Sequence, residues 1–136
     1  MLPLILTLML QGGVFTSYAE GERWDFAVRG RDVEKAPPWR DIDDAPPLPP
    51  RAAVRSARLM LSKLVKHGSS WELGKVSLQP IAGAAGVWVY LVEFTSPVQV
   101  RAGAMVGSSL RQQLTVVVMM NGTAISPDRR PAQAGR

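Results

Sequence analysis

The side chains that could carry catalysis are scarce in this chain. Among its 136 residues there is no cysteine and one histidine, His67. The missing thiols remove disulfides, thiolate nucleophiles and every cysteine-ligated zinc or iron–sulfur site. A lone imidazole leaves no pair for a two-histidine metal site and no base to spare for a nucleophile–base–orienter triad. Between Arg51 and Pro127 the carboxylates are Glu72 and Glu93. A glycosidase-type pair needs two carboxyl groups at one site, about 5 to 9.5 Å apart, and nothing in the spacing joins these two. Glu93 reads as a strand-end acid paired with a base such as Arg111. His67 reads as a member of a helix's last turn, where an imidazolium meets the negative end of the helix dipole. The expectation is a non-enzyme with no catalytic residue, no metal site and no cofactor.

The bases are more informative. Arg51, Arg55, Arg58, Lys63 and Lys66 fall within one segment that holds no acid, so i,i+4 salt bridges cannot balance them. Such a stripe suits an anionic envelope surface, either lipid headgroups or polymer, and export makes nucleic acid the least favoured partner. The competing reading is a solvated helix face screened by the acids Asp41, Asp43 and Asp44. Gly103 and Gly107 lack the lysine and following helix of a phosphate-cradling loop and read as a hairpin connection. Asn121-Gly122-Thr123 matches a glycosylation acceptor, but a hairpin turn is enough to explain it.

These residues need elements to position them. Ala53, Val54, Ala57, Met60, Leu61, Leu64 and Val65 recur at three- and four-residue spacing, which predicts a helix over residues 50–67. Pro50 would sit at its first position and Gly68 at the left-handed position past its end. Three strands follow. Residues 71–80 change phase near Gly74-Lys75, as one inserted residue would require. Residues 87–94 (VWVYLVEF) are apolar on both faces and suit the sheet centre. Residues 110–120 alternate before Asn121-Gly122 turns the chain back through residues 123–126.

The fold class expected is α+β: one helix packed across a three- to four-stranded antiparallel sheet. A single helix covers one sheet face, which leaves Val87, Val89, Leu91, Val117 and Met119 to be covered by something else. The options are the aromatic-bearing N-terminal segment, the loop over residues 96–109, or another chain, either a protein partner or a second copy in a homo-oligomer.

Residues 2–10 (LPLILTLML) form a short apolar run, and Ser17-Tyr18-Ala19 places small residues at −3 and −1 of a cut after Ala19. This is signal-peptide anatomy, though no lysine or arginine precedes the run. The run is too short for a membrane span, which takes roughly 20 apolar residues. Export without cysteine points to a bacterial envelope, periplasmic or secreted. Residues 20–50 then carry eight acids and five bases, with Pro37-Pro38 and Pro46-Pro47-Leu48-Pro49-Pro50, and read as a flexible acidic segment. Residues 51–127, with two acids and eight bases, read as the α+β domain, and residues 128–136 as a disordered basic tail.

The order of helix, strands, Val116 to Val118 and Asn121-Gly122-Thr123-Ala124-Ile125 resembles small exported modules of the PepSY and cystatin-like kinds. Gln99-Val100-Arg101-Ala102-Gly103 is similar to the Q-x-V-x-G loop of cystatins, with Arg101 where that family has valine. The resemblance implies a sheet wrapped on one helix and a protein-binding role, peptidase inhibition included.

Overall fold

The structure, a computed structural model, describes residues 13–97, the backbone of Val100–Arg101 and Ala104–Met105, and residues 111–132. The apolar run over residues 2–10 and Gln99, Ala102, Gly103 and Gly107 lie outside the described residues. Helix α1 is the single short turn Gly30–Glu34, and helix α2 spans Pro50–Leu64. Pro50 stands at the start of α2 as expected, where its missing N–H is no loss. Ala53, Ala57 and Leu61 form the buried stripe.

The helix ends earlier than its apolar spacing suggests. Val65 leaves it in an extended conformation, and His67, at φ 55° and ψ 40°, takes the left-handed position expected of Gly68. Gly68 is needed for closeness instead. A Cβ there would lie 3.1 Å from the Ser62 Cα and 3.3 Å from the Leu61 carbonyl oxygen, where the chain folds back on the helix it has left.

The central sheet has the order β3 (Glu72–Pro80), β4 (Trp88–Thr95), β7 (Gln113–Met119), all antiparallel, with β4 in the middle. The expected irregularity appears as a register shift between Leu73 and Lys75. The turn after β7 differs from the two-residue form. Gly122 N–H donates to Met119 O and Met119 N–H donates to Thr123 O, which closes a three-residue loop. Gly122 has φ +91° while Asn121 is not left-handed, whereas the two-residue type I′ turn needs both. The return is brief: one bridge, Val118 to Ala124, and an Ile125 N–H donated to Val117 O.

One sheet was expected, yet the described residues form two sheets of three strands and a small ribbon of β5 (Val100–Arg101) and β6 (Ala104–Met105). The additional, N-terminal sheet has the order β1 (Gly13–Ala19), β2 (Glu22–Val28), β8 (Asp128–Pro131). Its strands come from the stretches read as leader, flexible segment and disordered tail. The hairpin is closed by Glu20 and Gly21 at φ 53° and 73°, both left-handed as a type I′ turn demands. Phe15 then faces Phe26 and Ser17 faces Trp24. Trp24, Phe26 and Val28 are at most 2 % exposed, and the buried Trp24 indole N–H donates to Ala19 O. A cut after Ala19 would remove β1 whole.

The N-terminal sheet adjoins the central one through β1 and β7, where Thr115 N–H donates to Ser17 Oγ at 3.0 Å. The same side of β7 receives the Ile125 N–H, so this is the edge that β4 does not use. Helix α2 lies on the face of Tyr90, Val92 and Phe94, with the Arg58 guanidinium 4.8 Å from the Phe94 ring centre. The pleat sends Val89 and Leu91 the other way. All the buried apolar residues of both sheets and α2 belong to one core. The proline-rich stretch is docked on it. Trp39 N–H donates to Gly86 O, its ring meets Trp88 edge-on at 5.0 Å, and Tyr90 Oη donates to Leu48 O at 2.6 Å. No helix among the described residues is long and apolar enough to cross a membrane.

Candidate functional site: a basic ridge on the long helix

Arg51, Arg55, Leu59 and Lys63 stand four residues apart on α2. Each step of four advances about 40° around a helix of 3.6 residues per turn, so the four form one slowly winding ridge. All are exposed, and so is Lys66 just beyond the helix. Opposite them, Ala53, Ala57 and Leu61 anchor the helix, so the ridge is held on a rigid element.

The helix has no acid with which to neutralise the ridge. Among the described residues, no carboxylate lies within 4.0 Å of Arg51, Arg55, Lys63 or Lys66; the ion pairs join Arg23 and Arg130 to Asp25, Arg29 to Asp128, Arg40 to Asp43 and Arg111 to Glu72. Direct ion pairing of the ridge with the acidic segment is therefore absent among the described residues. Asp43 is engaged by Arg40 at 3.2 Å and also receives the Arg40 backbone N–H.

Arg58 leaves the stripe. Its Nη1 donates to Trp71 O at 2.8 Å and to Gly68 O at 3.3 Å, and the guanidinium stacks over Phe94. It ties the helix to the turn that follows, which accounts for its charge without any ligand. Leu59, at 64 % exposed, takes its place on the ridge. Sequence reading passed over Leu59 because leucine is sorted with the core, although its spacing from Arg55 and Lys63 already placed it on the solvent side.

The expected partner face fares differently. Val89 and Val117 are fully buried, Met119 is 1 % exposed, Val87 is 7 % exposed and Leu91 is half-buried. Val87, Val89, Val117 and Met119 are closed off within the chain, and only part of Leu91 reaches the surface. The N-terminal sheet meets the central one at the edge of β7, and its Trp24 and Phe26 join the same core.

The acids are also arranged otherwise. Arg111 pairs with Glu72 at 2.9 Å rather than with Glu93, and its Nε donates to Ser96 O. Glu93 stands between Lys75 and Thr115 in the ladder. His67 is exposed outside the helix, and its carbonyl accepts Ser70 N–H and Ser70 Oγ–H. Among the described residues no three metal-binding side chains gather at one point.

A second polar cluster was not foreseen. Asp25 lies on the outer face of the N-terminal sheet and accepts from Thr16 Oγ1 at 2.7 Å and Arg23 Nε at 3.1 Å. The Thr16 hydroxyl, followed by Arg23 and then Arg130, holds the carboxyl below its ordinary value, against a desolvation that acts in the other direction. Near it, a hollow of about 520 Å³ is lined by Thr16, Ser17, Tyr18, Arg111, Gln112, Gln113 and Thr115. Its one cation, Arg111, is already paired with Glu72. Comparison with family models, with curated proteins and with solved structures finds no match to this chain.

Proposed function

We propose that this protein is an exported, non-enzymatic binding module that engages an anionic envelope surface through the ridge of Arg51, Arg55 and Lys63, with Lys66 beside it. The observation that carries the reading is a row of exposed cations on a rigid helix, none of which has a carboxylate within 4.0 Å among the described residues. Unbalanced surface charge of one sign attracts counter-charged partners over about a Debye length. The apolar run over residues 2–10 supports export, to a bacterial periplasm or beyond the cell.

Retention of the full chain on immobilised dextran sulfate tests this. Retention should be strong at low salt, fall as salt rises, and be lost when Arg51, Arg55 and Lys63 are all replaced by glutamine. If the triple variant is retained like the parent, the ridge is not the binding surface. Arg58 is left out because its substitution would break the contacts to Trp71 O and Phe94.

A second reading is self-association or protein binding through Val87, Val89, Leu91, Val117 and Met119. One observation favours it: a cut after Ala19 falls at the hairpin turn and would take β1 off the edge of β7. Light scattering on chains starting at Gly13 and at Glu20 separates the two. Association of the shorter chain alone would support the second reading, and monomers in both would remove it.

A further inference from the structure

We infer, on the basis of the reading above, that the anionic surface engaged is a lipid bilayer and that Leu59 is the residue that selects it over a soluble polyanion. Leu59 stands between Arg55 and Lys63 on the ridge and is 64 % exposed. A hydrated polyanion offers nothing apolar for that side chain to bury, whereas the boundary between headgroups and acyl chains does. Beside it opens a hollow of about 210 Å³ lined by Ser56, Leu59, Met60, Lys63, Gly122 and Ala124. Met60 and Ala124 share that hollow with Leu59, beside the polar Ser56 and Gly122, and Lys63 lines it as a cation for a headgroup phosphate.

The apolar stripe of α2 is spent on the core, so the helix does not lie in the bilayer as a free amphipathic helix would. Attachment is peripheral: the cations meet phosphates and Leu59 enters between headgroups. Each cation removed should weaken binding about fivefold at low salt, and loss of the Leu59 side chain should weaken it by about tenfold.

The test uses the full chain with vesicles of phosphatidylglycerol and phosphatidylcholine, and with dextran sulfate in parallel. Leu59→Asn should lower vesicle binding about tenfold while leaving dextran sulfate binding unchanged, and Leu59→Phe should keep or raise vesicle binding. Because the side chain is exposed, circular dichroism of both variants should match the parent. If Leu59→Asn leaves vesicle binding intact, or weakens both ligands alike, the lipid inference is overturned while the anionic-surface reading stands. If the parent binds neither vesicles nor dextran sulfate, that reading falls as well.

Discussion

The two halves of the core are built from sequence of opposite appearance. The half formed by α2, β4 and β7 comes from an amphipathic helix and two apolar runs, and Tyr90, Val92, Phe94, Leu114, Val116 and Val118 fill it. The N-terminal sheet comes from GVFTSYA and ERWDFAV: Trp24, Phe26 and Val28 are buried on its inner face, while Val14, Thr16 and Tyr18 are exposed on its outer one. A sheet wetted on one face needs only every second residue to be apolar. The first half therefore looks like a domain and the second like a tether, although each supplies residues that are fully buried. The difference teaches that mean hydropathy finds elements covered on both sides and overlooks those covered on one.

Four substitutions or deletions would break or sharpen this contrast. The largest effect is expected from starting the chain at Glu20. Without β1 the outer edge of β7 and the core beneath lose their cover, and cooperative urea unfolding should disappear or give way to association, while a chain starting at Gly13 unfolds in one transition. If the two chains unfold alike, the N-terminal sheet is an accessory. Next, Phe26→Ala should cost about 3 to 5 kcal/mol in urea denaturation, as for an aromatic in any close-packed core. A loss below about 1 kcal/mol, the range of exposed sites, would show that this half is loosely held.

Gly68→Ala should cost about 1 to 3 kcal/mol, the usual range for overpacking, because the added Cβ meets helix backbone at 3.1 Å. An unchanged unfolding midpoint would mean that the turn after α2 yields freely. The smallest effect concerns acid. Because the native Asp25 carboxyl titrates below its ordinary value of 3.8, it binds its proton less readily folded than unfolded. Its contribution is present above that value and is lost as pH falls through the lowered native one. Asp25→Asn should therefore lower stability at neutral pH and flatten the acid limb of the pH–stability profile. Parallel profiles for parent and variant would exclude this cluster as a source of acid sensitivity.

Legibility followed the same division. The helix start at Pro50, the bulge beside Gly74 and the central place of β4 were all readable, because each depends on spacing or on one residue's backbone preference. The identity of the left-handed residue was not. Glycine is favoured there in general, but at Gly68 the crowding against Ser62 and Leu61 decided its use, and His67 took the turn. The ridge was legible as a charge stripe. That Arg58 leaves it was hidden, because the carbonyls of Gly68 and Trp71 reach its guanidinium only once the chain has folded back.

By itself the sequence determined the inventory: a chain without cysteine, one histidine, an amphipathic helix whose solvent side is basic, and strands with enough apolar surface to need two covering layers. Local rules act within a few residues, so such features survive translation into a list of letters. Tertiary structure alone decided that a second sheet joins the core. Bringing Trp24 and Phe26 into the core that holds Val89, Val117 and Met119 depends on pairing Gly13–Ala19 with Glu22–Val28 and on setting Ser17 against Thr115 from 98 residues away. Such contacts are specified by shape and by the cost of leaving apolar surface wet, neither of which is written at any single position.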